Sequence, residues 1–198
     1  MTKEYVILPE PKMNFNKHKY RWNGFGYVPS TNEYKVVLMY KVPNFVEVMM
    51  YTLGSGNGWR NIGKFQLKMN YVFKGHGIFL NGALHWGHST GSLILVFDLA
   101  DEIFREHLLS PPPQPRSWLF KDLGVSNGFL FCASAHRSYI QYKRWDCDIW
   151  IYKKKNDNEQ NEQYPSLGWT KEFILSEGQQ PLAFTKSGGV LIYGSNYL

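Results

Sequence analysis

Apolar residues in this chain fall in short runs that alternate with polar ones, and almost no window keeps a helical spacing of three to four without a Gly or Pro breaking it. The runs at 34–42 (YKVVLMYKV), 46–53 (VEVMMYTL), 77–86 (GIFLNGALHW), 93–99 (LILVFDL), 128–136 (GFLFCASAH), 148–154 (DIWIYKK) and 188–194 (GGVLIYG) are rich in β-branched and aromatic residues, and most end at Gly, Asn, Asp or Pro. That pattern predicts strands. Asn81-Gly82 sits between two such runs, where a tight type I′ turn needs two residues with positive φ. Ser187-Gly188-Gly189 is a similar turn signal.

The hairpins repeat in two alternating kinds. One contains glycine: Phe79 to Trp86, Ser126 to Phe131, and Phe184 to Leu191. The other joins a strand ending in an aromatic to a strand opening with one: Tyr51 with Trp59, Phe97 with Phe104, and Tyr152 with Trp169. Tyr51, Phe97 and Tyr152 stand about 46 and 55 residues apart, in the range of kelch blades at ~50 and WD40 blades at ~40 to 45. One hairpin of each kind makes a four-stranded blade. The expected fold is therefore all-β with little helix, a kelch-like or propeller-like repeat of about four antiparallel four-stranded blades, the last incomplete. Blades are expected at 24–67, 75–110 and 123–175, with half a blade at 182–194. Tyr5 to Pro11 resembles His107 to Pro113 in pattern, so a strand at 4–8 is expected to pair beside the last hairpin.

Composition narrows the class. With 198 residues, 43% hydrophobic and only 19% charged, the chain suits one β domain spanning 1–198 and is neither a coiled coil nor disordered. The net charge of +6 is scattered, and the one dense basic run, Lys153 to Lys155, is followed at once by Asp157, Glu159 and Glu162. No nucleic-acid-binding stripe results. Pro111 to Pro115 reads as a stiff connector, and the polar stretch 156–165 as a loop. Cys132 and Cys147 are too few for a disulfide scaffold or a four-thiolate zinc site. The first residues hold no apolar run long enough for a signal peptide or membrane span, and no Asn-x-Ser/Thr sequon occurs. Cytoplasm or nucleus is the expected location, with no membrane partner.

Gly24-Phe25-Gly26-Tyr27, Pro29-Ser30-Thr31 and Tyr34-Lys35-Val36-Val37 resemble the opening signature of the F-box-associated domains of plant F-box proteins. The later motifs follow that family's order: Val46-Glu47-Val48 leading to Trp59-Arg60, Phe79 to Trp86, Ile94 to Leu99 leading to Phe104-Arg105-Glu106, Asp148 to Tyr152, and Trp169-Thr170-Lys171. The resemblance runs from about Leu8 to the end. It implies a protein-binding module like the substrate-recognition part of a cullin-based ubiquitin ligase receptor, with a protein as partner. The F-box that binds the Skp-type adaptor in that family is not in the sequence, so adaptor binding is not expected. Whether the chain is an excised portion, a truncated product or a stand-alone domain stays open.

Candidate chemistry is sparse. His85 and His88 are a close histidine pair, but a spacing of three on a strand puts them on opposite faces, and no metal site or cofactor is expected. No nucleophile elbow occurs. Gly54 to Gly58 lacks the Lys of a phosphate loop and reads as a turn, and Asp98 sits where a side chain bonds back to a turn. Cys132 reads as a small core residue. The candidate partner contacts are aromatic and basic residues between or at the ends of hairpins: Phe45, Tyr71, Arg116, Trp118, Tyr139, Tyr142, Arg144 and Trp145. The alternative is an enzyme or small-molecule binder on the same scaffold, for which His85, His88 and His136 are the residues to examine.

Overall fold

The computed structural model describes residues 5–11, 21–42, 45–66, 75–88, 93–111, 120–137, 145–154, 167–175, 180–185 and 189–193. Among them every regular element is a strand. The first antiparallel unit holds β1 (Arg21–Val28), β2 (Glu33–Val42), β3 (Phe45–Thr52) and β4 (Trp59–Phe65). The second holds β5 (His76–Leu80), β6 (Ala83–Gly87), β7 (Leu93–Asp98) and β8 (Ile103–Phe104), with β9 (Leu108–Leu109) also pairing β7. The third holds β10 (Phe120–Ser126), β11 (Phe129–Arg137), β12 (Trp145–Lys154) and β13 (Leu167–Leu175). A hairpin of β14 (Gln180–Phe184) and β15 (Val190–Tyr193) follows.

The expected repeat is present, with its edges moved: the first unit begins at Arg21 and the third at Phe120, each three residues earlier than the motifs suggested. Two of the three glycine turns take the left-handed geometry that type I′ requires, with φ of 49° and 79° at Asn81 and Gly82 and 50° and 79° at Asn127 and Gly128, whereas the third, at Ser187-Gly188, lies outside the described residues. The aromatic pairs meet as read. Ring centroids lie 5.4 Å apart for Tyr51 and Trp59, 5.0 Å for Phe97 and Phe104, and 5.2 Å for Tyr152 and Trp169. Asp98 Oδ1 accepts from the backbone N–H groups of Ala100 and Asp101, closing the β7–β8 turn.

Alternation along β1 to β3 builds the core between the first two units. Trp22 and Val28, Val37 and Met39, and Val46, Val48 and Met50 point to one side and are buried. From the second unit Leu84, Trp86, Leu95, Phe97 and Leu99 pack against them. Gly24 and Gly26 lie in β1 on this same side, where a Cβ on Gly24 would come 2.6 Å from Leu84, and one on Gly26 2.4 Å from Phe79 and 2.5 Å from Leu99. The glycines of the opening signature are there because the second unit occupies the space of their side chains. β1 and β5 also pair in parallel, Asn23 with His76 and Gly24 with Gly77, so the two units share one curled sheet.

One expectation fails. Residues 5–11 form no strand, and β15 has no strand partner except β14 among the described residues. Pro9 and Pro11 have no N–H to give to a ladder, and the Pro9 carbonyl instead accepts from the indole Nε1–H of Trp59 at 2.5 Å.

Both cysteines are buried, Cys132 and Cys147 lying in the third unit on neighbouring strands. Burial first, and then the carboxylates of Asp148 and Asp122, push the Cys147 thiol up to about 11. Thiolate is the reactive form, so iodoacetamide at pH 8 is expected to leave both thiols unmodified in the folded chain and to label both in denaturant. Rapid labelling without denaturant, followed by mass spectrometry, would contradict this packing.

Candidate functional site

Antiparallel order within each unit, and the parallel β1–β5 contact between the first two, sort the connections onto two ends. One end is a rim of turns, at 29–32, 53–58, 81–82, 99–102 and 127–128, and the connection from β12 to β13 belongs to it too. Neighbouring turns touch: the Asn127 amide donates to the Thr185 carbonyl at 3.2 Å. The other end carries the β2–β3 and β11–β12 connections and the links from unit to unit.

Phe45 and Trp145 lie at that second end, as the first residues of β3 and β12, and Phe45 is 42% exposed. The stretches holding Tyr71, Arg116, Trp118, Tyr139, Tyr142 and Arg144 lie outside the described residues. The strand ends that flank them, Phe65 and His76, Leu109 and Phe120, Arg137 and Trp145, all belong to this same end. The candidates picked for residue type are thus attached to one side of the scaffold.

Among the described residues, two concavities open toward the turn rim. The larger, about 670 Å³, lies between the second and third units, with Leu80, His85 and Leu108 on one wall and Phe129, Leu130 and Tyr152 on the other. His85 is buried, and its Nδ1–H donates to the Ile78 carbonyl at 3.2 Å. Burial lowers its pKa, outweighing that hydrogen bond, so the ring is neutral at pH 7. Lys153, also on the wall, is held by Glu172 at 2.5 Å. The described lining contains no carboxylate to pair with His85 as a general acid and base.

His88 is half-buried, its pKa lowered by desolvation, and its backbone N–H bonds the Leu93 carbonyl at 3.0 Å. His136 sits on β11 opposite Asp146, in a different unit from the other two. Among the described residues no three His, Cys, Asp or Glu side chains gather as metal ligands.

The smaller concavity, about 180 Å³, is polar and spans the first two units. Lys35 is only 5% exposed, and its ammonium donates to the Leu99 carbonyl at 2.9 Å and to Glu102 at 3.0 Å. Arg60 grips the same carboxylate with two bonds, 2.9 and 2.6 Å. The Arg60 hydrogen bond chiefly, and Lys35 after it, hold the Glu102 carboxyl below its ordinary pKa. Another acid, the buried Asp148, meets Lys171 at 2.7 Å, with that ammonium 5.0 Å from the Trp150 ring. Neither cluster stands out in the sequence. The one signal is that Lys35 occupies the inward phase shared by Val37 and Met39, a place where a lysine needs a partner.

Side-by-side antiparallel units of repeated hairpins, with their connections gathered at two ends, make a β-propeller scaffold of the kind that presents loops for recognition. The chain belongs to the F-box associated beta propeller domain family, whose model matches residues 1–173. No curated protein matches it.

Proposed function

We propose that the chain is a protein-binding module that captures its partner with the end of the propeller opposite the turn rim, in the manner of a substrate receptor of a ubiquitin ligase. Membership of the F-box associated family supports protein capture. The observation that carries the choice of face is that Phe45, Trp145 and the strand ends flanking all six other aromatic and basic candidates belong to one end. Aromatic and Arg side chains supply most hot spots in protein interfaces.

The neutral, carbonyl-bound His85 in a cleft without a described acid favours binding over catalysis. The test compares two variants in affinity capture. Replacing Tyr139, Tyr142 and Arg144 with alanine is expected to lower recovery of a reproducibly captured protein at least ten-fold, as loss of one or two hot spots of ~2 kcal/mol each would. Asn57→Ala on the turn rim leaves recovery unchanged. Equal loss in both, or retention in the triple variant, contradicts this face.

A further inference from the structure

The aromatic hairpin of the first unit does more than close a sheet edge. Tyr51 and Trp59 hold their rings 5.4 Å apart at 59°, and the Trp59 indole N–H donates to the carbonyl of Pro9 in the extended segment Tyr5-Val6-Ile7-Leu8-Pro9-Glu10-Pro11. The third unit repeats the arrangement. Tyr152 and Trp169 lie 5.2 Å apart at 55°, and the Trp169 indole donates at 2.7 Å to the carbonyl of Leu109, two residues before the buried Pro111. In the second unit the corresponding pair is Phe97 and Phe104, which has no N–H to offer. An apolar ring takes the place there, Phe65 meeting Phe104 edge-on at 4.7 Å.

We propose that the Tyr51–Trp59 pair is a docking site for extended segments of the form aliphatic-aliphatic-x-Pro, filled by the chain's own residues 5–11 and open to exchange with such a segment on a partner protein. An aromatic platform with an indole donor suits this chemistry. Proline holds the peptide extended before it binds, leaves its carbonyl free to accept, and lacks the N–H that would otherwise need a partner. The chain itself supplies two examples, the indole bonding the carbonyl of the proline itself at Pro9 and the carbonyl two residues before the proline at Leu109.

The copies differ in how firmly they hold. Leu108 and Leu109 are fixed by pairing with Ile94 and Leu93 of β7. Residues 5–11 have no strand pairing among the described residues, and Tyr5, Val6 and Ile7 are 83%, 76% and 82% exposed. The first seat is therefore the exchangeable one. It lies at the outer edge of the first unit and uses none of the residues assigned to protein capture above, so either proposal can fail without the other.

A fluorescent peptide copying residues 4–12 tests it against the full chain by polarisation. Leu8→Gly with Pro9→Gly loosens the internal segment, and the peptide is expected to bind this variant at least ten-fold tighter than the unmodified chain. Adding Trp59→Phe weakens that binding at least five-fold, Trp169→Phe leaves it unchanged, and a peptide with both prolines replaced by glycine does not bind. A thermal melt confirms that each variant is folded. In a ¹⁵N-labelled loosened chain the Trp59 indole resonance moves and returns toward its original position when peptide is added. The proposal is overturned by no binding to the loosened chain, by binding indifferent to Trp59→Phe or to the prolines, or by an unmoved indole signal. Concentration-dependent dimers of the unmodified chain in sedimentation, lost on loosening, would make a second copy the occupant and likewise overturn it.

Discussion

Trp86→Ala is expected to destabilise the chain by about 3–5 kcal/mol, the usual cost of emptying a large buried aromatic site. Trp86 is wholly buried between the first two units, and the Cβ position of Gly77 lies 2.5 Å from its ring. The indole N–H also donates to the Asn23 carbonyl at 3.0 Å, tying the second unit to β1. The cavity would open where the units meet, and the strands framing it cannot collapse without breaking the parallel β1–β5 contact. Trp86→Phe keeps most of the volume and loses the N–H, so a smaller cost of about 1–2 kcal/mol is expected. Urea denaturation of the two variants measures both. Equal losses would place the stabilisation in the hydrogen bond and not in packing.

The second large effect is electrostatic. Glu102→Ala removes the closest carboxylate from the ammonium of Lys35 beneath the turn rim, leaving it the Leu99 carbonyl at 2.9 Å and Glu33 at 3.9 Å. Leaving one member of a buried pair costs about 3 kcal/mol or more, and the fifth of its surface that Glu102 keeps in water sets the lower end as the expectation. Lys35→Met combined with Glu102→Leu removes both charges and should recover most of the loss.

The sign of the pH dependence follows from the lowered pKa of Glu102. Its contribution is complete above the ordinary glutamate value near 4.5 and disappears as pH falls through the lower folded value. Acid unfolding of the unmodified chain should thus be steeper below pH ~4.5 than that of Glu102→Gln, as followed by circular dichroism. Superimposable acid transitions would remove Glu102 from this role.

The parts of the fold legible in the sequence are those fixed by neighbours in the chain. Asn81-Gly82 and Asn127-Gly128 announce their turns through backbone chemistry, and Tyr51 with Trp59 or Tyr152 with Trp169 announce cross-strand pairs. What was hidden depends on distant residues. The glycines of β1 have no evident reason in the sequence until Leu84, Phe79 and Leu99 are in place above them. The burial of Lys35 is explained only by Glu102, 67 residues away. The likeness between 5–11 and 107–113 was visible, but pattern alone could not tell the paired Leu108 and Leu109 from a segment held by an indole at Pro9. At the functional end, residue type selected the candidates, whereas their common side follows from topology.

The shared core of the first two units also bears on synthesis. The inward row of Val37, Met39, Val48 and Met50 is complete once β3 has emerged, yet the residues that cover it, Leu84 to Leu99, come later from the ribosome. During that interval a nascent chain carries an uncovered aliphatic sheet face, the feature that invites aggregation. Pairing within the first unit can proceed meanwhile, because each of its strands binds the next in order. A translational pause after residue 99 has emerged would therefore be tolerated, and one with the chain emerged only to between 65 and 84 would not.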